Sequence, residues 1–538
     1  MEYPQSEANK AKAKAIIEAQ ERRISRRSVW ETHWQECLDY IIPRKGDVVT
    51  KNIDGEKKGI ELYDSTATLA NELLASALHG MLTNPSTRFF DLVFGDPEFD
   101  DDDMVKEWLQ EVANRMFMVL NNSNFQTEIH EIYLDLGALG TAALFMGEHD
   151  ENVVHFSARH MKEITVEENN LGLIDSVDRL FEWKPRHIIQ EFGEDKVPPF
   201  VLEAHRKGCE DLWQVIHATY PVPDGKPHPV ASCYVLKEQQ FVLHEGGFHE
   251  EPWAVPRWTK TSGETYGRGP GMNVLPDTKM ANAMMKTIIE GGQMAVKPPL
   301  QVPDDGVVGR VRLTPSGLTV VRAGAEQIRP LIAGDTRIDY GFELVNDVRQ
   351  RIRQGFLTDK IQLNQSQGTP KTATEIDQIV DQSLRFMGPV LGRQHFELLR
   401  PMINRVFGIM DRRGLLPEAP AKIQGKKFDV RYSSVVARAQ RMAEGSNLNR
   451  AIAAIAPILQ LDPKAALLIN SFDAVRYILD IYGAPQKVIR NQKELQTELG
   501  KLADAQAQQA QIQKEQHEAE MASKVLPGAA AMAQVQKA

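Results

Sequence analysis

Four groups of residues have types and spacings that could do chemistry. The stretch YGRGPGM at 266–272 places Gly267, Gly269 and Gly271 just ahead of a helix-forming run, as a phosphate-cradling loop does. A dinucleotide loop reads GxGxxG, however, whereas this one reads GxGxG, and Pro270 lacks one of the backbone N–H groups such a loop aims at phosphate. The GxxxxGK[ST] pattern of a Walker loop occurs nowhere in the chain. These glycines are therefore read as structural, a tight turn into a helix. The run Asp100–Asp103 could suggest a metal nuclease, but adjacent aspartates at a helix start do not converge on one ion, and the positive end of the helix dipole favours them there. Cys37, Cys209 and Cys233 lack metal-ligand spacing and cannot build a disulfide framework, which fits a reducing compartment. Arg22, Arg23, Arg26 and Arg27 read as a solvated helical face in preference to a nucleic-acid contact. No catalytic residue, metal site or cofactor is expected.

The elements that would position these residues follow from length and pattern. At 538 residues the chain exceeds the size of a single core, so two or more structural regions are expected. Hydrophobic residues make up 42% and charged residues 25%, and no apolar run approaches the ~18 residues of a membrane span. The N-terminus lacks the apolar core of a signal peptide. A net charge of -10 argues against tight DNA gripping and allows only local or loose contact.

Residues from about 7 to 40 read as one helix. A buried amphipathic helix follows, with Leu69, Leu73, Leu74, Ala77, Leu78 and Met81 at helical spacing before Pro85. Between Val153 and Phe248, WQVIHATY, SCYVLKEQQFVL and, a little beyond, AVPRWTK read as strands, so the N-terminal half is α+β. The glycine loop leads into a helix with Pro276 in its first turn and a face of Met280, Met284 and Ile288. A Pro-, Gly- and Val-rich β unit comes next, and a second helix from Ile338 carries Phe342, Val345, Val348, Ile352 and Phe356 on one side, with Arg349, Arg351 and Arg353 around the rest. Residues 358–371, TDKIQLNQSQGTPK, read as a polar exposed loop. Thr372 and Glu375 are spaced as a capping box opening a third helix, which Gly388 and Pro389 should kink. Helices recur from Val435 to Gly500, and the Ala-, Gln- and Glu-rich remainder is expected to be helical only with help from neighbours and mobile past Leu526.

In this order, YDSTATLANELLASALHGMLTNPSTRFFDL, YGRGPGMNVLPDTKMAN and TATEI resemble the portal, or head-to-tail connector, proteins of short-tailed, podovirus-type tailed bacteriophages, over roughly residues 20 to 500. The resemblance implies a mainly helical α+β portal fold, with a wing at 1–270, stem helices at 271–297 and 338–357, and a small β-rich clip at 298–337 between them. It further implies a tunnel loop at 358–371, a long kinked helix returning to the wing at 372–432, a helical crown at 433–500 and a polar, mobile tail at 501–538. It implies a ring of about twelve subunits at one capsid vertex of the virion, assembled in the host bacterial cytoplasm, through which double-stranded DNA is packaged and later ejected. The implied partners are other copies of the chain, the terminase large subunit, a tail adaptor protein, the major capsid protein, and scaffolding and internal core proteins, with no membrane. Within the tunnel loop, Lys360, Gln362, Asn364, Gln365, Gln367 and Lys371 would face the channel, with the two lysines as sparse phosphate contacts. A ring of about twelve copies would carry a formal charge of about -120, which suits a conduit along which DNA slides. The competing expectations are a non-conduit adaptor or scaffold of the virion, and an enzyme, either nucleotide-dependent or using the 100–103 aspartates.

Overall fold

A computed structural model describes residues 6–50, 55–59, 61–93, 102–223, 227–296, 300–301, 329–330, 338–358, 388–421, 423, 429–432, 445, 448, 450–455, 470–481 and 492–535. The chain divides into two units. The first is Met1–Asp91, Ala113–Pro417 and Val430–Val436; the second is Leu92–Val112, Glu418–Asp429 and Ala437–Ala538.

In chain order the helices are α1 (Glu7–Ile41), α2 (Thr66–Leu82), α3 (Asp103–Asn122), α4 (Phe125–Leu139), α5 (Pro185–Phe192), α6 (Pro199–Arg206), α7 (Pro270–Val296), α8 (Ile338–Gly355), α9 (Arg400–Arg412), α10 (Ser471–Ile481) and α11 (Gln492–Val535). The strands are β1 (Phe90–Val93), β2 (Ala143–His149), β3 (Val153–Arg159), β4 (Ile164–Glu168), β5 (Ile174–Trp183), β6 (Trp213–Pro221), β7 (Val230–Leu236), β8 (Phe241–Phe248), β9 (Trp253–Ala254), β10 (Leu300–Gln301), β11 (Arg329–Pro330) and β12 (Asp429–Tyr432). The fold is α+β with antiparallel sheets, and both larger sheets lie before residue 270.

The five-stranded sheet runs β4-β5-β6-β7-β8, antiparallel throughout. Ala13, Ile16 and Ile17 of α1 cover one face, packing on Ile216, Ala218, Cys233, Val235 and Val242. The short helices α5 and α6 cover the other with Ile188, Phe200 and Val201, against Phe181, Val215, Leu236 and Leu243. A sheet buried on both faces needs apolar side chains in both directions, which is why this stretch shows runs in place of clean alternation. WQVIHATY falls in β6 and SCYVLKEQQFVL spans the β7–β8 hairpin, but AVPRWTK contributes only Ala254 to a strand. The second sheet, β3-β2-β9, is small.

Only half of the arginine cluster is a solvated face: Arg22 and Arg26 are exposed, whereas Arg23 and Arg27 are not. Arg27 is 6% exposed and donates to the carbonyls of Met161 (3.1 Å) and Ile164 (2.6 Å). Arg23 pairs with Glu167 at 2.6 Å and with the buried carboxylate of Asp178. Charges on the sheet side of α1 thus meet acceptors on β4, β5 and the turn before them, while Arg26 stays outside at 75% side-chain exposure. On α2 the buried row is Ala67, Ala70, Asn71, Leu74, Ala75, Leu78 and Leu82, and Leu69 is 60% exposed. Alanines at 67, 70 and 75 allow the closest approach to neighbouring elements, so the helix turns them inward and leaves Leu69 outside.

Helices α7 and α8 pack antiparallel as a stalk, and the ladder β10–β11 pairs Leu300 with Pro330 and Gln301 with Arg329 at its far end. Pro276 sits inside α7, not in its first turn; Pro270 opens the helix, where a missing N–H costs nothing. On α8, Val345, Val348 and Ile352 are buried as expected, with Phe356 just beyond the helix end, but Phe342 is 40% exposed. From Gly388 the chain is helical to Arg412, with a π-helical turn at His395–Leu399 followed by Pro401. Pro389 is exposed next to the first described residue of this helix, so the kink expected there falls at the edge of the described residues, and within them the helix is widened at the π turn. Most of 298–337 and all of 359–387 lie outside the described residues, so Lys360, Gln362, Asn364, Gln365, Gln367, Lys371, Thr372 and Glu375 are not placed.

The described parts of the second unit are mainly helical. Met104 N–H donates to Asp102 Oδ1 (3.1 Å) at the start of α3, so Asp102 serves as the helix start, while Asp100 and Asp101 lie outside the described residues. The boundary drawn at 500/501 falls within one helix, because α11 continues from Gln492 to Val535. Ala, Gln, Glu and Lys are strong helix formers, and that intrinsic preference carries the helix past the point where its large apolar residues end.

Candidate functional site

The stalk meets the α+β body at the glycine loop, where the three glycines have a physical reason to be there. A Cβ on Gly267 would lie 2.5 Å from the carbonyl oxygen of Gly140, one on Gly269 2.7 Å from the Gly140 nitrogen, and one on Gly271 2.7 Å from the carbonyl oxygen of Ala138. Gly140 ends α4 in the left-handed conformation, φ 74°, and its own Cβ would stand 2.2 Å from the Gly269 nitrogen. Side-chain-free backbone on both strands lets the loop and the end of α4 touch directly. The Gly267 N–H donates to Thr141 Oγ1 (2.8 Å) and the Arg268 N–H to the Thr259 carbonyl (2.9 Å). These donors are committed to the fold and do not form a phosphate nest. Tyr266, 4% exposed, packs edge-on to Trp34 at 5.1 Å, closing the junction from the α1 side.

The second anchor is on α8. Arg349 Nε donates to Asp64 Oδ2 (2.8 Å), and Asp64 is 4% exposed. Burial pushes this carboxyl up, but hydrogen bonds from Thr66 and the Arg349 guanidinium outweigh it and hold it below the usual carboxylate range. Asn282 on α7 accepts from the N–H groups of Tyr63 (2.6 Å) and Asp64 (3.2 Å) and donates to the Glu61 carbonyl (2.9 Å). One short segment before α2 therefore ties both stalk helices.

A third group of charges fixes the helix that follows residue 387. Arg257, 1% exposed, pairs through Nη2 with Glu397 Oε1 (2.8 Å), donates Nε and its backbone N–H to Glu397 Oε2 (3.1 and 2.9 Å), and pairs with Glu168. Its remaining donors reach the carbonyls of Thr265 (3.2 Å) and Gly172 (3.0 Å). Glu397 lies on the π turn and Gln394 just before it donates to the Arg257 carbonyl (2.9 Å), so the widened turn faces this arginine. Further along, Arg405 (1% exposed) and Arg412 both grip Glu250, at 2.8 and 2.5 Å. None of these pairs has a local signal: Arg257 and Glu397 are 140 residues apart.

Beside them Glu251, whose Oε1 is buried without a hydrogen-bond partner among the described residues, is pushed up to about 8. Burial is the main cause and Asp175 adds to it, while the Trp253 backbone N–H and Arg405 oppose it. A carboxyl raised from 4.5 to about 8 binds its proton more tightly folded than unfolded, so stability falls as pH rises between those values. Glu251→Gln is expected to flatten that fall and to gain on the order of 3 kcal/mol at pH 8, read by urea unfolding at pH 5 and pH 8.

Among the described residues no group of His, Cys, Asp and Glu could hold a metal ion, and no helix is long and apolar enough to cross a membrane. Cys37 and Cys233 are buried free thiols pushed up to about 12 by burial.

Residues 13–489 match the family model described as bacteriophage head to tail connecting protein. The chain is 29% identical over 465 residues to the probable portal protein of Bordetella phage BPP-1, covering 84% of this chain and 83% of that protein. It is 28% identical over 500 residues to the portal protein of Salmonella phage epsilon15, covering 90% and 89%. Among solved structures, the neck of an empty GTA particle computed with C6 symmetry matches 71% of this chain and 86% of its own, with 10% identity and a TM-score of 0.36, too loose to carry an argument.

Proposed function

The chain belongs to the bacteriophage head to tail connecting protein family, and from that premise we propose that its copies assemble into a ring of about twelve at one capsid vertex, as the conduit for genome packaging and ejection. As a portal protein it is structural and not an enzyme. The observation that carries the conduit reading is the stalk, a helical hairpin anchored to the body by close backbone contact and by Asp64–Arg349, whose flanks expose apolar side chains that no other described residue covers. A ring of identical stalks would bury those flanks while leaving a channel along its axis.

In this reading 1–270 is the wing, 271–297 and 338–357 the stem, 298–337 the clip, 358–371 the tunnel loop, 372–432 the return to the wing and 433–500 the crown. The clip would meet the terminase large subunit and then the tail adaptor protein, and the body would meet the major capsid, scaffolding and internal core proteins. The whole would assemble in the bacterial cytoplasm before taking its place in the virion. Lys360 and Lys371 would touch DNA phosphates, and Gln362, Asn364, Gln365 and Gln367 would line the loop without holding the strand.

Electron microscopy of the purified full chain tests this. Rings of about twelve with an open channel support it. Solid particles, or monomers that persist at high concentration with scaffold present, overturn it in favour of an adaptor. Deleting 361–368, which removes Gln362, Asn364, Gln365 and Gln367 and keeps both lysines, is expected to leave rings intact and to lower DNA packaging or genome retention several-fold in an assembly assay, because the shortened loop no longer lines the channel. An adaptor would show no change.

A further inference from the structure

We propose that a cavity in the α+β body binds a primary aliphatic amine, with its ammonium group on the Glu251 carboxylate and its carbon chain along an apolar wall. The site lies within one copy of the chain and does not depend on the conduit reading.

The cavity, of about 500 Å³, opens between the β4–β5 hairpin, the run 251–257 and the π turn with the start of α9. That is a volume in the range of small-ligand sites. The run is extended, because the Met146 and Ala142 N–H groups donate to the carbonyls of Pro252 and Pro256 on either side of the β2–β9 ladder. Alternate side chains then share a face, and Glu251, Trp253, Val255 and Arg257 all line the cavity. Val177 and Val255, 1% and 5% exposed, join Leu173 and Ile174 in an apolar wall.

Two polar groups on this face lack partners among the described residues. Glu251 Oε1 is buried without a hydrogen bond, and Trp253, 3% exposed, has its ring N–H unpaired. A buried polar atom left unpaired carries the full cost of its desolvation, so such atoms are rare. The two residues are one strand repeat apart, ~7 Å along the chain. A ligand with a cation at one end and a hydrogen-bond acceptor at the other satisfies both.

The surrounding charges fix the sign of that ligand. Asp175 comes from the hairpin, Glu250, Glu251 and Arg257 from the extended run, and Glu397 and Arg400 from the helical side. Arg257 is taken by Glu397 and Glu168, Glu250 by Arg405 and Arg412, and Arg400 stands over the Phe396 ring at 5.4 Å. Glu251 and Asp175 have no ion-pair partner among the described residues. An anion would add to their repulsion, whereas an ammonium offsets it, and the apolar wall favours one that carries a carbon chain. A bare metal ion does not fit, because that wall offers it no oxygen ligands.

Burial, with Asp175 adding to it, pushes the Glu251 carboxyl up to about 8, so the empty site holds it protonated at neutral pH. The ammonium favours the ionised form, and binding therefore releases that proton to solvent. The amine itself stays protonated to about pH 10. Affinity should rise with pH until Glu251 ionises unaided, then level off.

Isothermal titration calorimetry of the full chain with aminopentanol, an amine and a hydroxyl on one carbon chain, tests this. Binding is expected to be more than roughly tenfold tighter at pH 9 than at pH 6, with about one proton released per amine at the lower pH. Glu251→Gln should weaken binding at pH 9 by about tenfold or more and abolish the proton release, and Asp175→Asn should move the pH midpoint down. Pentanediol, neutral and of the same length, should bind about tenfold more weakly than the amine. Nα-acetyl-lysinamide separates two sources of the same ammonium: tighter binding than aminopentanol assigns the site to a lysine side chain of another protein, weaker binding to a free amine, and both keep the site. Pentanediol binding as well as the amine, Glu251→Gln binding as wild type does, or no binding up to about 10 mM amine overturns the proposal.

Discussion

Arg257→Met is expected to lower stability by roughly 3–5 kcal/mol. The guanidinium is 1% exposed and Glu397, its main partner, has a side chain 8% exposed, so removing the cation leaves a carboxylate out of water with Arg393 (3.0 Å) and the backbone N–H of residue 257 (2.9 Å) as its remaining described partners. Glu168 suffers less because Lys260 stands 2.7 Å away. Arg257→Met/Glu397→Gln should recover part of the loss, since the buried charge goes with its partner. Urea unfolding of the two variants checks this, and a double variant as unstable as the single one would show that the π turn depends on the arginine itself.

Gly140→Ala is expected to cost more than about 3 kcal/mol, for two reasons that add. The residue sits at φ 74°, where an L side chain is strained, and the added Cβ would meet Gly269 N at 2.2 Å and Arg268 C at 2.4 Å, which are backbone atoms without a rotamer to yield. Gly269→Ala keeps an ordinary φ and meets Gly140 N at 2.7 Å, so its cost should be smaller but of the same origin. Gly291 and Gly292 have open space around a Cβ inside α7, and alanine there should be neutral or stabilising by about 0.5–1 kcal/mol per site. Differential scanning calorimetry of the four variants gives the order; Gly140→Ala melting with wild type would remove the close-contact account of the loop.

These positions mark what the sequence could reveal. Helical period is a local signal, and the helix expected from about 7 to 40 runs Glu7–Ile41. The glycines of YGRGPGM were legible as structural because their spacing and Pro270 fail a phosphate loop, but their partner, Gly140, stands far away in the chain and no pattern joins them. The same holds for Arg23 and Arg27, where a basic cluster on a helix looks solvated until Asp178 and the carbonyls of Met161 and Ile164 fold over it. Met280 fails in the opposite direction. Apolar period identifies a face that avoids water without saying whose surface covers it, and here Met280 on α7 is 40% exposed, uncovered by the other described residues. The six tunnel-loop positions carry no local signal beyond polarity, and their place rests on the family alone.

The glycine junction has a mechanical consequence. Backbone packed on backbone has no side chain to flex, so the base of the stalk is stiff, while α7 runs on from its tie at Asn282 to Val296, a lever of about 21 Å. A rotation of about 5° at that tie would carry the far end through about 2 Å, more than the ~1.5 Å rise of one helical residue. An angular change too small to disturb the packing around Gly140 is thus amplified into a displacement large enough to break and remake contacts at the tip.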